Sequence, residues 1–209
     1  VHYPKKRISS EKDFPPYDDF SESSISWKKN DHLFENEALP LEISRGCPFA
    51  CSFCDYKKKK FGELIKKPSS LENELNKNYD LFGITQYMIT DFLVNESLEK
   101  TEMIQQVFSK LPFKIEWSGF ARLDIIEKYP QMIDLLYESG AKSIMWGIES
   151  TRKDVGKFIG KICDQERIEN LLLKVKAAWG DDTITGSGFI IGLPNETNET
   201  ATRQLDWII

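Results

Sequence analysis

The sequence predicts an α/β fold, a partial (β/α) TIM-type barrel with five βα units, and two observations carry that expectation. From Leu39 onward, short apolar runs alternate with amphipathic stretches in a strict strand-then-helix order. Such an order implies a parallel sheet with right-handed crossovers. The second observation is that each strand signal ends in residues that a plain connecting loop does not require. A doubly wound sheet satisfies the alternation equally well. In a barrel, however, all strand ends share one rim, where barrel enzymes keep their chemistry, and that convergence selects the barrel.

The first strand is expected over Leu39–Ser44, where an apolar run stops at Arg45-Gly46. Ser69 stands three residues before Glu72 and predicts a capping box, with Leu71, Leu75 and Tyr79 following at helical spacing. The second strand runs from Ile84 to Thr90, and Ile104, Val107, Phe108 and Leu111 mark the second helix. Alternation over Phe113–Ser118 gives the third strand. The third helix has Pro130 near its start, an apolar face of Met132, Ile133, Leu135 and Leu136, and Gly140 as its stop. Lys142–Ile148 is the fourth strand; Ile168, Leu171, Leu172 and Val175 carry the fourth helix up to Gly180. Thr183–Ile191 is the fifth strand, and a fifth helix begins after Asn198.

Residues 1–38 read differently. They are polar and rich in Ser, Pro and Asp, without sustained periodicity, and are expected to form an irregular linker or lead-in segment before a core over residues 39–209. The chain has 209 residues, 40% of them hydrophobic, which is enough for a sizeable core and rules out wholesale disorder. A net charge of -5 argues against a general nucleic-acid coat. No apolar run has the length of a membrane span and none follows the N-terminus as a secretory signal would require, so a cytoplasmic location is expected. The first residue is Val1 rather than Met, which suggests an excerpt of a longer chain.

Three of the four cysteines, Cys47, Cys51 and Cys54, fall within eight residues. With one distant Cys163, they do not make a disulfide framework; they suggest a metal or cluster site in a reducing compartment. In that setting the glycosylation-like triplets at Asn95, Asn195 and Asn198 are incidental. The spacing Cys-x3-Cys-x2-Cys offers three thiolates and no local fourth. Structural zinc and structural clusters want four protein ligands, so an incomplete set suits catalysis at an open iron. After the other strands stand Asp91, Arg122, Glu149-Ser150 and Gly192-Leu193-Pro194.

The stretch Ser44-Arg45-Gly46-Cys47-Pro48-Phe49-Ala50-Cys51-Ser52-Phe53-Cys54 resembles the cluster loop of the radical S-adenosylmethionine (radical SAM) enzymes. The likeness continues through Arg122-Leu123-Asp124, Gly147-Ile148-Glu149-Ser150 and Gly188 to Pro194, and covers residues 39 to 209. It implies a barrel of the radical SAM kind, with at least one further strand beyond Ile209 and so a core cut short at its C-terminus. It also implies a [4Fe-4S] cluster held by Cys47, Cys51 and Cys54, whose open iron chelates S-adenosylmethionine. One electron, supplied by a reductant such as ferredoxin or flavodoxin, then splits the sulfonium bond to give methionine and a 5′-deoxyadenosyl radical.

By the same resemblance Phe53 packs beside the adenine, Glu149 and Ser150 contact the ribose or methionine part, and Arg122 pairs with the carboxylate. Gly192 lets the backbone approach the adenine. Many members carry Gly-Gly-Glu after the second strand to hold the methionine amino group; here Thr90-Asp91-Phe92 stands in its place, and Asp91 inherits that role. The Pro-Pro-Tyr-Asp-Asp-Phe stretch at 15–20 makes the chain look most like members that follow a cobalamin-binding domain. Cobalamin use would then come through an upstream domain absent from this chain, with methyl transfer one candidate reaction beside hydrogen abstraction and ring chemistry, and the small-molecule or peptide substrate open.

Three other readings compete. One is a methylthiotransferase-like, RNA-modifying radical SAM enzyme, and another is a non-catalytic iron–sulfur module. The third is a zinc site completed by Cys163, His2 or His32. Cys163 reads best as a plain thiol, and Arg122 with Glu149 as either cofactor ligands or a structural ion pair. Lys57 to Lys60, with Lys66 and Lys67, form a basic run whose plain reading is a solvated loop and whose functional reading is contact with an anionic substrate or RNA.

Overall fold

The burial pattern of the strands sets the architecture. In a computed structural model that describes residues 20–28, 31, 37–54 and 64–209, five strands form one parallel sheet. They are β1 (Leu39–Leu41), β4 (Gln86–Ile89), β5 (Glu116–Ala121), β6 (Ala141–Glu149) and β7 (Ile184–Phe189), ordered β1-β4-β5-β6-β7. Each new strand is added on the same side as the last, which is barrel winding; a doubly wound sheet would reverse direction. Among the described residues the outer strands β1 and β7 do not pair with each other, so the sheet is an open partial barrel.

Among the described residues, helices cover one face of the sheet. The covered face carries Tyr87 and Ile89, then Trp117 and Ala121, then Ile144, Trp146 and Ile148, all buried. Against it pack α1 (Pro68–Phe82), α2 (Leu98–Lys110), α4 (Met132–Glu138) and α6 (Gln165–Trp179), neighbours in that order. On the opposite face Met88, Phe120 and Met145 stand roughly half exposed, because alternate residues of a strand point to opposite sides. Short α3 (Leu123–Lys128) and α5 (Lys153–Ile159) bridge the ends of β5 and β6 to α4 and α6, and α7 (Asn198–Ile208) closes the described chain. No helix among the described residues is long and apolar enough to cross a membrane.

Several expected boundaries moved, each for a physical reason. The first strand does not run on to Ser44. Ser44–Arg45 instead form β2, which pairs antiparallel with β3 (Leu64–Ile65), because the Asp91 carboxylate takes the amides of Ile43 and Ser44 out of the parallel ladder. The expected capping box at Ser69 does not form: Pro68 starts α1 after Lys67, with no side-chain cap. The third strand starts at Glu116 and reaches Ala121, while Phe113 leaves the sheet to stack on Tyr79 with ring centroids 3.9 Å apart. Gly140 does stop the third long helical stretch. Its φ of 93° lies in the left-handed region, and a Cβ there would meet the Ile115 carbonyl oxygen at 1.9 Å.

The basic run divides. Lys66 is buried and pairs with Glu74 at 2.5 Å, so it is neither solvated nor free for an anion; Lys67 is exposed and pairs with Glu22. Lys57 to Lys60, His2, His32 and most of the 1–38 stretch lie outside the described residues.

Candidate functional site

The three cysteines leave the sheet just after β1 and β2, at the rim where the parallel strands end. All three are free thiols, each partly exposed, on a loop turned at Ser52-Phe53 by a bond from the Cys54 amide to the Cys51 carbonyl. Burial raises the Cys47 thiol above its usual range, with the Phe49 amide acting against it. Cys163 is buried elsewhere, with its thiol pushed up to about 11 by desolvation, the profile of an inert core cysteine. Among the described residues no three His, Cys, Asp or Glu side chains gather closely enough to hold a single metal ion. Three free, accessible thiols on one loop are nonetheless the donor chemistry that an iron–sulfur cluster takes.

Two strand-end residues anchor that loop. Asp91, after β4, accepts the amides of Ile43 at 2.8 Å and Ser44 at 2.9 Å, together with the Ser44 hydroxyl. The Lys100 ammonium completes its shell at 2.7 Å, and also donates to Ser44 Oγ, the Leu93 carbonyl and Glu96 Oε1. Lys100, Asp91 and Glu96 are fully buried side chains. Desolvation lifts the Glu96 carboxyl to about 7 although Lys100 and Ser44 oppose it, and its Oε2 has no partner among the described residues. Asp91 therefore faces inward, with both oxygens occupied.

Arg122, after β5, is fixed by Asn95, whose side chain accepts from the Arg122 amide at 2.9 Å and donates to its carbonyl at 2.8 Å. The guanidinium is forked onto Asp124, donates to the Gly160 carbonyl, and reaches Cys51 Sγ with Nη1 at 3.4 Å. Its Cζ lies 4.0 Å from the centre of the Phe49 ring. Burial alone would weaken its charge, but the Asp124 fork and the two nearest thiols outweigh that, and the group is more basic than usual.

Glu149, ending β6, sits at φ 70° where the register to β7 shifts, a strained position for a residue other than glycine. Its carboxylate pairs with Lys161 at 2.9 Å, and Lys161 also donates to the Gly147 carbonyl at 2.7 Å and lies 5.6 Å from the Phe53 ring centre. Glu149 and Arg122 thus do not form the ion pair with each other that the sequence allowed. Ser150 is fully buried and its hydroxyl accepts from the Arg152 amide. Phe53 is 39% exposed, and Gly192, at φ 98°, donates its amide to Glu196.

The sequence reading missed Lys100, Glu96, Asn95 and Lys161. The pair Glu96 and Lys100 had a signal, the four-residue helical spacing of opposite charges. Asn95, which the sequence presents only as part of an incidental triplet, is buried and holds the backbone of Arg122.

A sequence profile described as the Radical SAM superfamily matches residues 41–208. The chain is 25% identical over 193 residues to the anaerobic magnesium-protoporphyrin IX monomethyl ester cyclase of Cereibacter sphaeroides, covering 88% of this chain and 30% of that protein. Among solved structures, it is similar to the cobalamin-dependent S-adenosylmethionine radical enzyme OxsB, with TM-score 0.67 and 21% identity over 81% of this chain and 26% of that one. It also resembles the radical S-adenosylmethionine methyltransferase TsrM of Kitasatospora setae, with TM-score 0.65 and 19% identity over 82% of this chain and 33% of that one. At these identities the two structures show the fold, a partial TIM-type barrel. The chain spans less than a third of the cyclase's length.

Proposed function

The chain belongs to the radical SAM superfamily, and from that premise we propose that it is the core of an enzyme that cleaves S-adenosylmethionine reductively at a [4Fe-4S] cluster held by Cys47, Cys51 and Cys54. The observation that carries this reading is the cysteine loop itself: three free, partly exposed thiols at the strand-end rim, on a loop anchored by Asp91 at the Ile43 and Ser44 amides and by Arg122 at Cys51. When bound, the cluster supplies a one-electron reductant beside the sulfonium. The protein's own groups then orient the cofactor. Phe53 offers an exposed ring for the adenine, Gly192 an approachable backbone, and Glu149 lines the β6 end for the ribose and methionine part. Lys161 holds the Glu149 carboxylate in place.

Three assignments change, and Ser150 is one: it is fully buried with its hydroxyl on the Arg152 amide, so we assign it to the scaffold. Asp91, expected to hold the methionine amino group, has no free oxygen and is fully buried, so we assign it to the scaffold. Arg122, expected to meet the carboxylate, has its donors committed to Asp124, Gly160 and Cys51.

The reaction type we propose is methyl transfer assisted by cobalamin on a separate domain. The likeness to OxsB and TsrM supports it, as does the uncharged wall of Met88, Phe120 and Met145 on the open face of the sheet, suited to an apolar group. Anaerobic reconstitution of the full protein with iron and sulfide tests the core reading. We expect a brown protein with about four irons that consumes S-adenosylmethionine under dithionite, and a Cys51→Ala variant that loses the cluster. A wild-type protein that binds iron but leaves S-adenosylmethionine intact would sink it. Transfer of label from methyl-labelled S-adenosylmethionine through added cobalamin tests the methyl-transfer reading, and a label retained entirely in methionine overturns it.

A further inference from the structure

We propose that Arg122 is a positioning residue for the cluster, whose Nη1–H donates to Cys51 Sγ and raises the reduction potential of the bound cluster. This inference rests on the ligand assignment made above, and it goes beyond it by giving one ligand sulfur a fixed cationic partner.

The geometry leaves the guanidinium little freedom. Asn95 grips the main chain of Arg122 at both its amide and its carbonyl. Asp124 receives Nε at 2.9 Å and Nη2 at 2.5 Å, and the Gly160 carbonyl takes Nη2 again at 2.9 Å. Phe49, from the cysteine loop itself, lies under the plane, so the loop and the cation grip each other. Only Nη1 remains to point outward from this fork, and it points at Cys51. With its side chain just 4% exposed, Arg122 offers no open face to a soluble ligand. A side chain placed to bind an incoming carboxylate would keep a bidentate edge free; here that edge is spent on Asp124.

The consequence is electrostatic. A cluster with three thiolate ligands gains one more negative charge when it takes an electron from an external one-electron donor, and no bond to protein forms or breaks. Hydrogen bonds to ligand sulfur, local charge and burial set such potentials. A fixed cation and an N–H aimed at Cys51 stabilise the reduced form more than the oxidised one. The same contact sets Cys51 apart from Cys47, whose sulfur takes the uncharged Phe49 amide instead.

The test is a redox titration of the anaerobically reconstituted full protein, read by the paramagnetic signal of the reduced cluster, with iron content measured alongside. Wild type is compared with Arg122→Gln and Arg122→Lys. We expect Arg122→Gln to keep its iron and to shift the reduction equilibrium about tenfold against the reduced form, about 59 mV for a one-electron couple. Arg122→Lys keeps a charge but loses the planar fork, so its potential falls between the two. Equal potentials in all three proteins overturn the proposal. If Arg122→Gln fails to hold iron, Arg122→Lys carries the test, and a wild-type potential there overturns it. Loss of iron from both variants overturns it as well, because Arg122 would then only shape the loop. A wild-type protein that takes up no iron and sulfide is a distinct result, since it removes the ligand assignment itself.

Discussion

The Lys100 ammonium lies 2.7 Å from Asp91 Oδ2, and neither side chain is exposed to solvent at all. Glu96 sits on the same ammonium, so one buried cation serves two carboxyl groups of the segment between β4 and α2. Replacing Lys100 by Met leaves Asp91 uncompensated in a dry interior. Breaking a buried pair from one side costs about 3–5 kcal/mol. Urea denaturation of Lys100→Met should register a loss of that size, and a loss below about 1 kcal/mol would contradict the clamp.

Glu96 gives the stability a pH slope. Its carboxyl is raised from 4.5 to about 7, first by burial and then by Asp91, with Lys100 and Ser44 pulling the other way. In the unfolded chain the group loses its proton near 4.5, whereas in the folded chain it keeps it until about 7. The folded state therefore holds more protons across that window, and the Glu96 contribution falls as the pH rises through it. Glu96→Gln cannot titrate. Its unfolding midpoint, relative to wild type, should rise across the window and level off above about 7. A constant difference between the two proteins would refute the assignment.

Asn95 is the next point of leverage. Asn95→Ala strands both the amide and the carbonyl of Arg122, two buried groups that each cost about 1–3 kcal/mol when unpaired. We expect a stability loss of about 2–4 kcal/mol together with weaker iron retention after gel filtration. Stability lost with iron retention intact would mean that the clamp serves the sheet alone.

Gly140 tests the turn between α4 and β6. Gly140→Ala places a methyl against the Ile115 carbonyl at a backbone angle that L-residues avoid. Strain and overlap together predict a loss of about 2–4 kcal/mol. A thermal midpoint within a degree or two of wild type would refute this.

The part of the site that was legible in the sequence is the part whose meaning lies in residue type and local spacing. The cysteine triplet is of this kind, as is the exposed Phe53 beside the last thiol. Asp91 and Arg122 were legible as positions, since they end strands, but their roles were not. Asp91 acts on Ile43 and Ser44, 48 and 47 residues away, and Arg122 on Cys51, 71 residues away. Only the lateral pairing of β1, β4 and β5 in the sheet brings those pairs together. The third strand was misplaced because Gly119 and Ala121 give no apolar signal, yet both are buried in the sheet. Lys66 was misjudged because a run of lysines says nothing about which one faces inward toward Glu74.

The clamp on Ile43 and Ser44 also bears on protein design. An eleven-residue graft of the cysteine motif into another scaffold would carry all three thiols and still lack what holds them, because the anchors Asp91, Lys100, Asn95 and Arg122 come from the ends of other strands, from α2 and from the loop that leads into it. A portable version of this loop is the motif with those four residues, and a maquette built from the cysteines alone should take up iron without keeping it.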